Sequence, residues 1–285
     1  MSMLGSLTSA VSGLDNFQEE MNVIGNNIAN VDTTGFKAAS VQFADAFSET
    51  LRAASGATSS GAGAASIQVG TGVLTTAISS NWTQGAPTTT GVTSDVAISG
   101  NGFFVVRNSI TNDQFATRAG AFKTDTNGFL ITDTGERVQG FSDAGLTTLG
   151  DIKIDTTGMP ATSDPAAGIV SYTIDGLGKI NVNLSDGTSF VRGQIMLQNF
   201  RDPSALVKEG NSLYSGMTAA GPLAALTAPG SVGLGDVQSG ALESSNVDLA
   251  NEMANLITAQ RAFEANSKII TTSDEMLSTL VNMKR

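Results

Sequence analysis

The sequence contains no cysteine and no histidine among its 285 residues. These absences exclude disulfide bonds, thiol nucleophiles and imidazole bases, and they remove the commonest zinc ligands. Basic residues are also few, since 15 lysines and arginines accompany 26 aspartates and glutamates and give a formal net charge of −11. The basic residues are scattered, so no patch is expected to bind nucleic acid through its phosphates. We therefore expect no catalytic residue, no cofactor, no metal and no nucleic-acid partner.

Long hydrophobic runs are absent as well. No stretch reaches the roughly 18 apolar residues that cross a bilayer, so membrane insertion is not expected. The opening stretch MSMLGSLTSAVSGL has neither a basic segment nor an uninterrupted apolar segment, which predicts that no cleavable secretory signal is present. The hydrophobic fraction of 40% is nevertheless sufficient for a folded core.

Both ends of the chain carry apolar residues with alternating spacings of three and four, which are typical of a coiled-coil seam. The seam is predicted to contain Leu4, Leu7, Val11, Leu14, Met21, Ile28, Leu249, Met253, Leu256, Gln260, Phe263, Ile270, Leu277 and Val281. Each seam is too thin to offset the entropy lost when its helix becomes ordered. We therefore expect both termini to fray in the monomer and to fold when neighbouring copies assemble.

Between the two heptad regions the hydrophobic period changes to that of β-strands. The dipeptides Asn101-Gly102, Asn127-Gly128 and Asp186-Gly187 lie between alternating arms and predict β-hairpins with type I′ turns. Residues 53–66 are rich in glycine, serine and alanine, which is typical of a flexible linker. Residues 216–235 are interpreted as an irregular, partly packed connection.

These patterns predict an α+β fold with long terminal helices in a coiled-coil inner domain and a mainly-β outer domain. The predicted parts are an N-terminal helix within residues 1–35, an extended linker over 36–70, a β-rich domain over 71–235 and a C-terminal helix within 236–285. Ser245 and Asp248 have the spacing of a capping box, which places the start of the C-terminal helix near residue 246.

Two long motifs give the sequence a family resemblance. MNVIGNNIANVDTTGFKAASVQFADAF at residues 21–47 resembles the N-terminal signature of the bacterial flagellar axial proteins, which are the rod, hook and junction subunits. SGALESSNVDLANEMANLITAQRAFEANSKIITTSDEMLSTLVN at residues 239–282 resembles their C-terminal signature. DVAISGNGFFVVR and GQIMLQNFRDPSALVKEGNSLYSG resemble the segments that open and close the family's β-domain. The resemblance implies a structural subunit of a tubular polymer, not an enzyme.

The resemblance also implies roles for individual residues. The matching positions are Asn26, Asn27, Ala29, Asn30, Gly35 and Phe36 in the N-terminal junction, and Ser245, Asn246, Val247 and Asp248 before the C-terminal helix. The asparagine amides would then bond both within one subunit and to axial neighbours. The polar seam row around Gln260 would let neighbouring subunits slide.

Within the family, GALESSNVDLANEM and the ending TLVNMKR resemble hook subunits most, which implies the universal joint between rod and filament. The short length and the stretch SETLRAASGATSSGAGAASIQVGTGV also resemble distal rod subunits, and this alternative stays open. The implied partners are further copies of the chain, the distal rod protein, the hook cap protein, the hook–filament junction protein and the flagellar type III export apparatus. The implied location is the extracellular hook or the basal body of the flagellum.

Two other protein classes fit the residues less well. GNGFF at residues 100–104 lacks the third glycine of a dinucleotide-binding loop and opens no helix, so an enzyme is not favoured. A β-rich adhesin would explain the hairpins but would not need heptad helices at both ends. The heptads therefore favour a self-assembling protein.

Overall fold

The structure is a computed structural model that describes residues 3–54, 56, 63, 65–231 and 233–283, except for the side chains of Met3 and Leu4. Contacts divide the chain into two compact units. As far as their residues are described, the helical unit comprises Met1–Ala29, Ala38–Asn81 and Val247–Arg285. The β unit comprises Asn30–Lys37 and Trp82–Asn246.

The helical unit consists of long helices and a ribbon of paired strands. Its elements are α1 (Met3–Ala29), β1 (Ala39–Asp45), β2 (Ser48–Arg52), β3 (Ile67–Gly70), β4 (Val73–Ser80) and α2 (Leu249–Met283). Strand β1 pairs antiparallel with β4, and β2 pairs antiparallel with β3. The helices α1 and α2 are antiparallel, because Leu7 lies beside Ile270 and Leu277 whereas Gly13 lies beside Asn266.

The β unit is built around one large antiparallel sheet. The strands of the β unit are β5 (Pro87–Thr89), β6 (Val96–Ser99), β7 (Phe103–Arg107), β8 (Gln114–Thr117), β9 (Lys123–Thr124), β10 (Leu130–Ile131), β11 (Arg137–Phe141), β12 (Leu149–Asp151), β13 (Ile169–Ile174), β14 (Lys179–Leu184), β15 (Ser189–Ile195), β16 (Leu197–Gln198), β17 (Val207–Gly210), β18 (Leu213–Ser215), β19 (Asp236–Ser239) and β20 (Ala241–Glu243). The sheet runs in the order β13, β14, β15, β11, β7, β8, β18 and β17. Near the end of the unit, β19 pairs with β6 and β20 pairs with β5.

The core of the β unit follows from the alternation along its strands. In β14, Ile180, Val182 and Leu184 are buried while the intervening residues are half-buried, as expected when alternate side chains face the core. A second cluster is aromatic, since Trp82 makes edge contacts with Phe103 and Tyr214. Burial raises the pKa of Tyr214 to about 12. Helices near both ends of the chain and a mainly-β region between them in sequence agree with the predicted α+β class.

The predicted hairpins are confirmed at two of the three dipeptides. Strands β9 and β10 enclose Asn127-Gly128, and β14 and β15 enclose Asp186-Gly187. The prediction is wrong at Asn101-Gly102, because the strands on either side do not pair with each other. Strand β6 pairs with β19, and β7 pairs with β8. The type I′ prediction is also wrong. Gly128 and Gly187 have positive φ but the residues before them do not, which fits a type I turn followed by a glycine bulge.

The element boundaries differ from those expected from the sequence. Helix α1 ends at Ala29, because Asn30 accepts a backbone hydrogen bond from Thr33 that closes a turn. Residues 36–70 contain β1, β2 and β3 instead of an extended linker, because Val41 and Phe43 alternate with polar residues and pair with β4. Much of the glycine-rich part, residues 53–66, lies outside the described residues. Residues 236–243 form β19 and β20, so α2 starts only at Leu249.

Neither α1 nor α2 contains, within the described residues, a segment both long and apolar enough to cross a membrane.

Candidate assembly surface

The predicted seam of α1 does not form the buried face of that helix. Among the predicted residues, Leu7, Leu14, Met21 and Ile28 are half-buried and Val11 is exposed, while the Leu4 side chain lies outside the described part. The buried positions are instead Ala10, Gly13, Asn16, Ile24 and Asn27. These positions lie beside the predicted rows, so the heptad assignment is rotated around the helix.

Close packing and backbone hydrogen bonds explain this rotation. A Cβ on Gly13 would lie 2.6 Å from the amide nitrogen of Asn266, so the glycine leaves room for the Asn266 side chain where α1 meets α2. Asn16 donates to the Val73 carbonyl at 3.0 Å and accepts from the Thr75 hydroxyl. Helix α1 therefore has partners within its own chain, which are α2 and the ribbon. The hydrophobic pattern could not reveal them, because the contacting residues are small or polar.

The predicted seam of α2 is partly packed. Leu256, Phe263 and Ile270 are half-buried, whereas Leu249, Met253, Gln260, Leu277 and Val281 are exposed. The exposure of this row changes along α2, because positions seven apart drift by about 20° per heptad on a straight α-helix. A row that is half-buried in the middle of the helix is therefore exposed at its two ends. The fully buried side chains of α2 are the small residues Ala259 and Ser273. The role of the seam between subunits stays a prediction.

Sequence reasoning missed much of the apolar surface of the helical unit. On α2, Ile257, Ile269, Met276 and Leu280 are exposed in addition to the predicted positions. On the ribbon, Phe47 is 92% exposed. Exposed apolar side chains clustered in this way mark interaction surfaces. A count of apolar residues at every helical face, not only at the best heptad, would have found those on α2.

The asparagines at the end of α1 have distinct contacts. Asn27 is buried, donates to the Ala39 carbonyl at 2.8 Å and accepts from the Ala39 amide at 3.0 Å. Asn30 accepts a hydrogen bond from the Thr33 hydroxyl at 3.0 Å. Asn26 and Ala29 are exposed on the last turn of α1. The described contacts of Asn27 are thus within one chain, where they fix the start of β1 against α1.

Gly35 and Phe36 are held by the β unit. Gly35 has a φ of 67°, and a Cβ there would lie 2.6 Å from the Ala119 amide nitrogen, so only glycine fits without strain. Its amide donates to the Glu243 carbonyl at 2.8 Å. The ammonium of Lys208 lies 4.9 Å from the centre of the Phe36 ring. The N-terminal motif is therefore joined to the C-terminal motif through the Gly35–Glu243 backbone hydrogen bond, and to the end of the β-domain through the contact of Phe36 with Lys208.

Asp248, not Ser245, caps α2. One carboxylate oxygen of Asp248 accepts from the amides of Ala250 at 2.9 Å and Asn251 at 3.2 Å. This geometry satisfies amides that have no partner within the helix. The capping-box prediction, which placed the helix start near residue 246, is therefore wrong by about one turn. Asn246 donates to Thr83 within the β unit, whereas Ser245 and Val247 are half-buried beside it in the chain.

A buried ion cluster lies where the two family motifs meet. Glu243 accepts from the Lys37 ammonium at 2.6 Å and from the Arg118 guanidinium at 3.2 Å. The exposed fractions of the three side chains are 0%, 5% and 1% for Lys37, Arg118 and Glu243. Burial lowers the pKa of Lys37, and the contact with Glu243 opposes that shift. No sequence pattern predicted this cluster, because the three residues are far apart in the chain.

Three models of known protein families match segments of this chain. Residues 7–37 match a model described as flagella basal body rod protein. Residues 97–182 match the flagellar hook protein FlgE/F/G D1 domain, and residues 238–283 match the flagellar basal body rod FlgEFG protein C-terminal model. The matched segments include Asn27, Lys37, Arg118, Glu243 and Asp248.

Individual relatives match along their whole length. The flagellar basal-body rod protein FlgG of Bacillus subtilis is 41% identical over 284 residues, with 99% of this chain and 100% of the relative covered. In Borreliella burgdorferi, FlgG is 35% identical over 287 residues and the flagellar hook protein FlgE is 27% identical over 444, each covering 99% of this chain and 100% of the relative. All three are named as structural parts of the flagellum and none as an enzyme. This chain therefore belongs to the flagellar rod and hook family of axial structural proteins.

Proposed function

We propose that this chain is a subunit of the distal rod of the flagellar basal body. The observation that carries the proposal is the full-length match to basal-body rod proteins at 34–41% identity. The alignment with the hook protein is longer than this chain, so that relative contains segments that this chain lacks. These findings favour the rod alternative over the hook assignment to which the sequence motifs first pointed.

In this proposal, copies of the chain assemble into a tube. The terminal helices would form a coiled-coil inner layer and the β unit an outer layer. The exposed apolar side chains of α2 and of the ribbon supply the surface that a monomer leaves uncovered. The predicted seam residues would contribute where they remain exposed in the single chain.

The proposed partners follow from this position. A distal rod subunit would contact further copies of itself and the first hook subunits, so the hook protein replaces the distal rod protein among the predicted partners. The hook cap and hook–filament junction proteins would be more distant neighbours. Export would pass through the flagellar type III apparatus, in keeping with the predicted lack of a cleavable signal.

Electron microscopy of basal bodies from a strain that lacks this gene tests the proposal. We expect truncated rods and no hooks, and restoration of full-length rods when the gene is supplied again. Complete rods without hooks would show that the chain is a hook subunit. The control is a strain that lacks its hook gene, in which complete rods must be visible under the same conditions.

A further inference from the structure

We propose that Asn101 is a site of spontaneous modification, at which the folded chain converts the asparagine to aspartate and isoaspartate. The sequence contains two Asn-Gly dipeptides, Asn101-Gly102 and Asn127-Gly128, and the strands on either side pair with each other only at the second. The proposal concerns a property of the single chain, so it goes beyond the proposed rod function and does not depend on it.

The reaction needs only two neighbouring residues and water. The Gly102 nitrogen attacks the side-chain carbonyl carbon of Asn101, and the new C–N bond closes a cyclic imide. The bond from that carbon to Nδ2 breaks, and Nδ2 leaves as ammonia together with the proton of the Gly102 amide. Water then opens the imide at one of its two carbonyls. One opening leaves aspartate, and the other leaves isoaspartate, in which the backbone runs through the side chain.

The reacting groups at Asn101 are not restrained by hydrogen bonds. Within the residues that the structure describes, neither the Asn101 side chain nor the Gly102 amide has a hydrogen-bond partner. Asn101 is also exposed to the water that the second step consumes. The nucleophile and the carbonyl carbon belong to adjacent residues, so the attack is intramolecular and loses little entropy.

Asn127 has the same sequence neighbour but different contacts. Its side-chain amide donates to the Asp125 carboxylate at 3.1 Å, and the Gly128 amide donates to the Asp125 carbonyl at 2.8 Å. Attack at this site breaks both hydrogen bonds, because the side chain must turn towards the Gly128 nitrogen and that nitrogen must lose its proton. Each lost bond slows the reaction by about fivefold. The fold therefore protects Asn127 and leaves Asn101 reactive.

The fold also requires the glycine that makes Asn101 reactive. Gly102 is buried and has a φ of 127°, and a Cβ there would lie 2.9 Å from Cδ2 of Leu234. A side chain at this position would hinder attack by its own nitrogen, but the backbone conformation disfavours any side chain there. The reactive dipeptide is thus built into the connection between β6 and β7.

Isoaspartate would alter the contact between Asn101 and the segment that precedes β19. The Asn101 carbonyl accepts a hydrogen bond from the Gly235 amide at 2.8 Å. In isoaspartate this carbonyl becomes a carboxylate outside the backbone, and the path to Gly102 is one carbon longer. We therefore expect the modification to weaken the pairing of β19 with β6, which begins next to Gly235.

Mass spectrometry of the ageing full-length chain tests the proposal. Purified protein is incubated in mildly alkaline buffer, and peptide mapping follows the conversion of both asparagines. In the folded chain we expect Asn101 to convert about tenfold faster than Asn127 or more, whereas in urea the two rates should agree within about twofold. Equal rates in the folded chain, conversion of Asn101 only in urea, or the same rate ratio in urea would overturn the proposal.

Two variants serve as controls for the assignment of the sites. Asn101→Ala should lose the conversion at residue 101 and keep that at Asn127. Asp125→Ala removes the carboxylate that restrains Asn127 and should accelerate conversion there by about fivefold, with no change at Asn101. An unchanged rate at Asn127 in Asp125→Ala would overturn the protective role of this contact.

Hydrogen exchange measures the effect of the modification on the fold. The isoaspartate content of the aged chain is determined with a protein isoaspartate methyltransferase, and exchange at Gly235 should be faster in the modified than in the fresh chain. Asn101→Asp keeps the backbone path and should leave that exchange unchanged. Equal exchange at Gly235 in the fresh and the isoaspartate-rich chain would overturn the expected weakening. These measurements use the unassembled chain, so the deletion strain decides the rod assignment separately.

Discussion

Single residues connect the N-terminal and C-terminal motifs of this flagellar protein. Glu243 neutralises two buried cations, one from each of two segments distant in sequence, and it also accepts from the Gly85 amide at 3.0 Å. A buried charge that loses its partner is strongly destabilising, even where the intact pair adds little. The cluster therefore makes folding of the β unit depend on the arrival of β20.

Replacing Glu243 with glutamine tests this dependence. Glu243→Gln keeps the shape but leaves Lys37 and Arg118 buried without an anion, which should cost about 3–5 kcal/mol of unfolding free energy. Urea denaturation followed by Trp82 fluorescence measures the loss, because this single tryptophan lies in the β unit. The control is Glu264→Gln, whose ion pair with Arg261 is exposed and should cost at most about 1 kcal/mol. Equal losses in the two variants would contradict the role of the buried cluster.

A second carboxylate should make the β unit sensitive to acid. Burial acts to raise the pKa of Asp151, but hydrogen bonds from Arg107, Gln139 and Arg137 outweigh it and lower the pKa below its usual value. A group with a lowered folded-state pKa stabilises the fold above its unfolded pKa, and this stability is lost as the pH falls through the folded value.

The Asp151→Asn variant should therefore lose stability at pH 7 and show a smaller further loss between pH 5 and about pH 3 than the unaltered chain. Thermal unfolding monitored by Trp82 fluorescence at several pH values checks this expectation. Asp113→Asn, at an exposed position, serves as the control. If Asp151→Asn and the unaltered chain lose equal stability on acidification, Asp151 does not contribute to the acid sensitivity.

Among secondary-structure elements, the ends of the helices are held by specific polar contacts. Asp248 fixes the start of α2, while Asn27 fixes the start of β1 against the end of α1. The helical unit therefore has intrachain contacts in addition to any that assembly supplies. The expectation that its termini fray in the monomer remains a prediction, and these contacts oppose it.

Removing the cap should shorten α2. Asp248→Ala should cost about 1 kcal/mol, within the range of 0.5–2 kcal/mol observed when a capping side chain is lost. The change is measured as a lower midpoint of thermal unfolding followed by circular dichroism at the helical band. Ser245→Ala, at the cap position expected from the sequence, is the comparison. A larger effect of Ser245→Ala would restore the original assignment.

The Asn27 contact should be visible in hydrogen exchange. Asn27→Ala removes the acceptor of the Ala39 amide, so exchange at Ala39 should become faster by about tenfold, the effect of roughly 1.4 kcal/mol of lost local protection. Asn22→Ala, on an exposed position of the same helix, should leave that amide unchanged. Slow exchange at Ala39 in the Asn27→Ala variant would show that the ribbon is held elsewhere.

At the scale of the whole molecule, net charge opposes the self-assembly that the apolar surface favours. Copies with a net charge of −11 repel one another, and salt screens this repulsion as the Debye length falls from about 30 Å at 0.01 M to about 8 Å at 0.15 M. Assembly should therefore start at lower protein concentration as salt is raised. We therefore expect growth to depend on ionic strength.

Sedimentation velocity across a range of sodium chloride concentrations tests this balance. Larger species should appear as the salt concentration rises. Dissociation on adding salt would instead indicate that ion pairs between copies hold the polymer together.

Features that depend on local pattern could be predicted from the amino-acid sequence alone. Heptads and alternation identified terminal helices and a β-rich centre, the Asn127-Gly128 and Asp186-Gly187 hairpins followed from turn chemistry, and long motifs identified the family. Helix boundaries were less accurate, since Ser245 and Asp248 are both suitable caps and only the backbone geometry distinguishes them.

Contacts between residues far apart in the chain became visible only in the folded structure. Apolar periodicity identifies the face that carries hydrophobic residues, whereas the buried face of α1 is set by the Asn266 side chain that packs against Gly13 and by the hydrogen bonds of Asn16 and Asn27. The pairing of Lys37 with Glu243 likewise depends on β20 returning to β5. Such contacts have no sequence period, because they arise from the packing of segments that folding brings together.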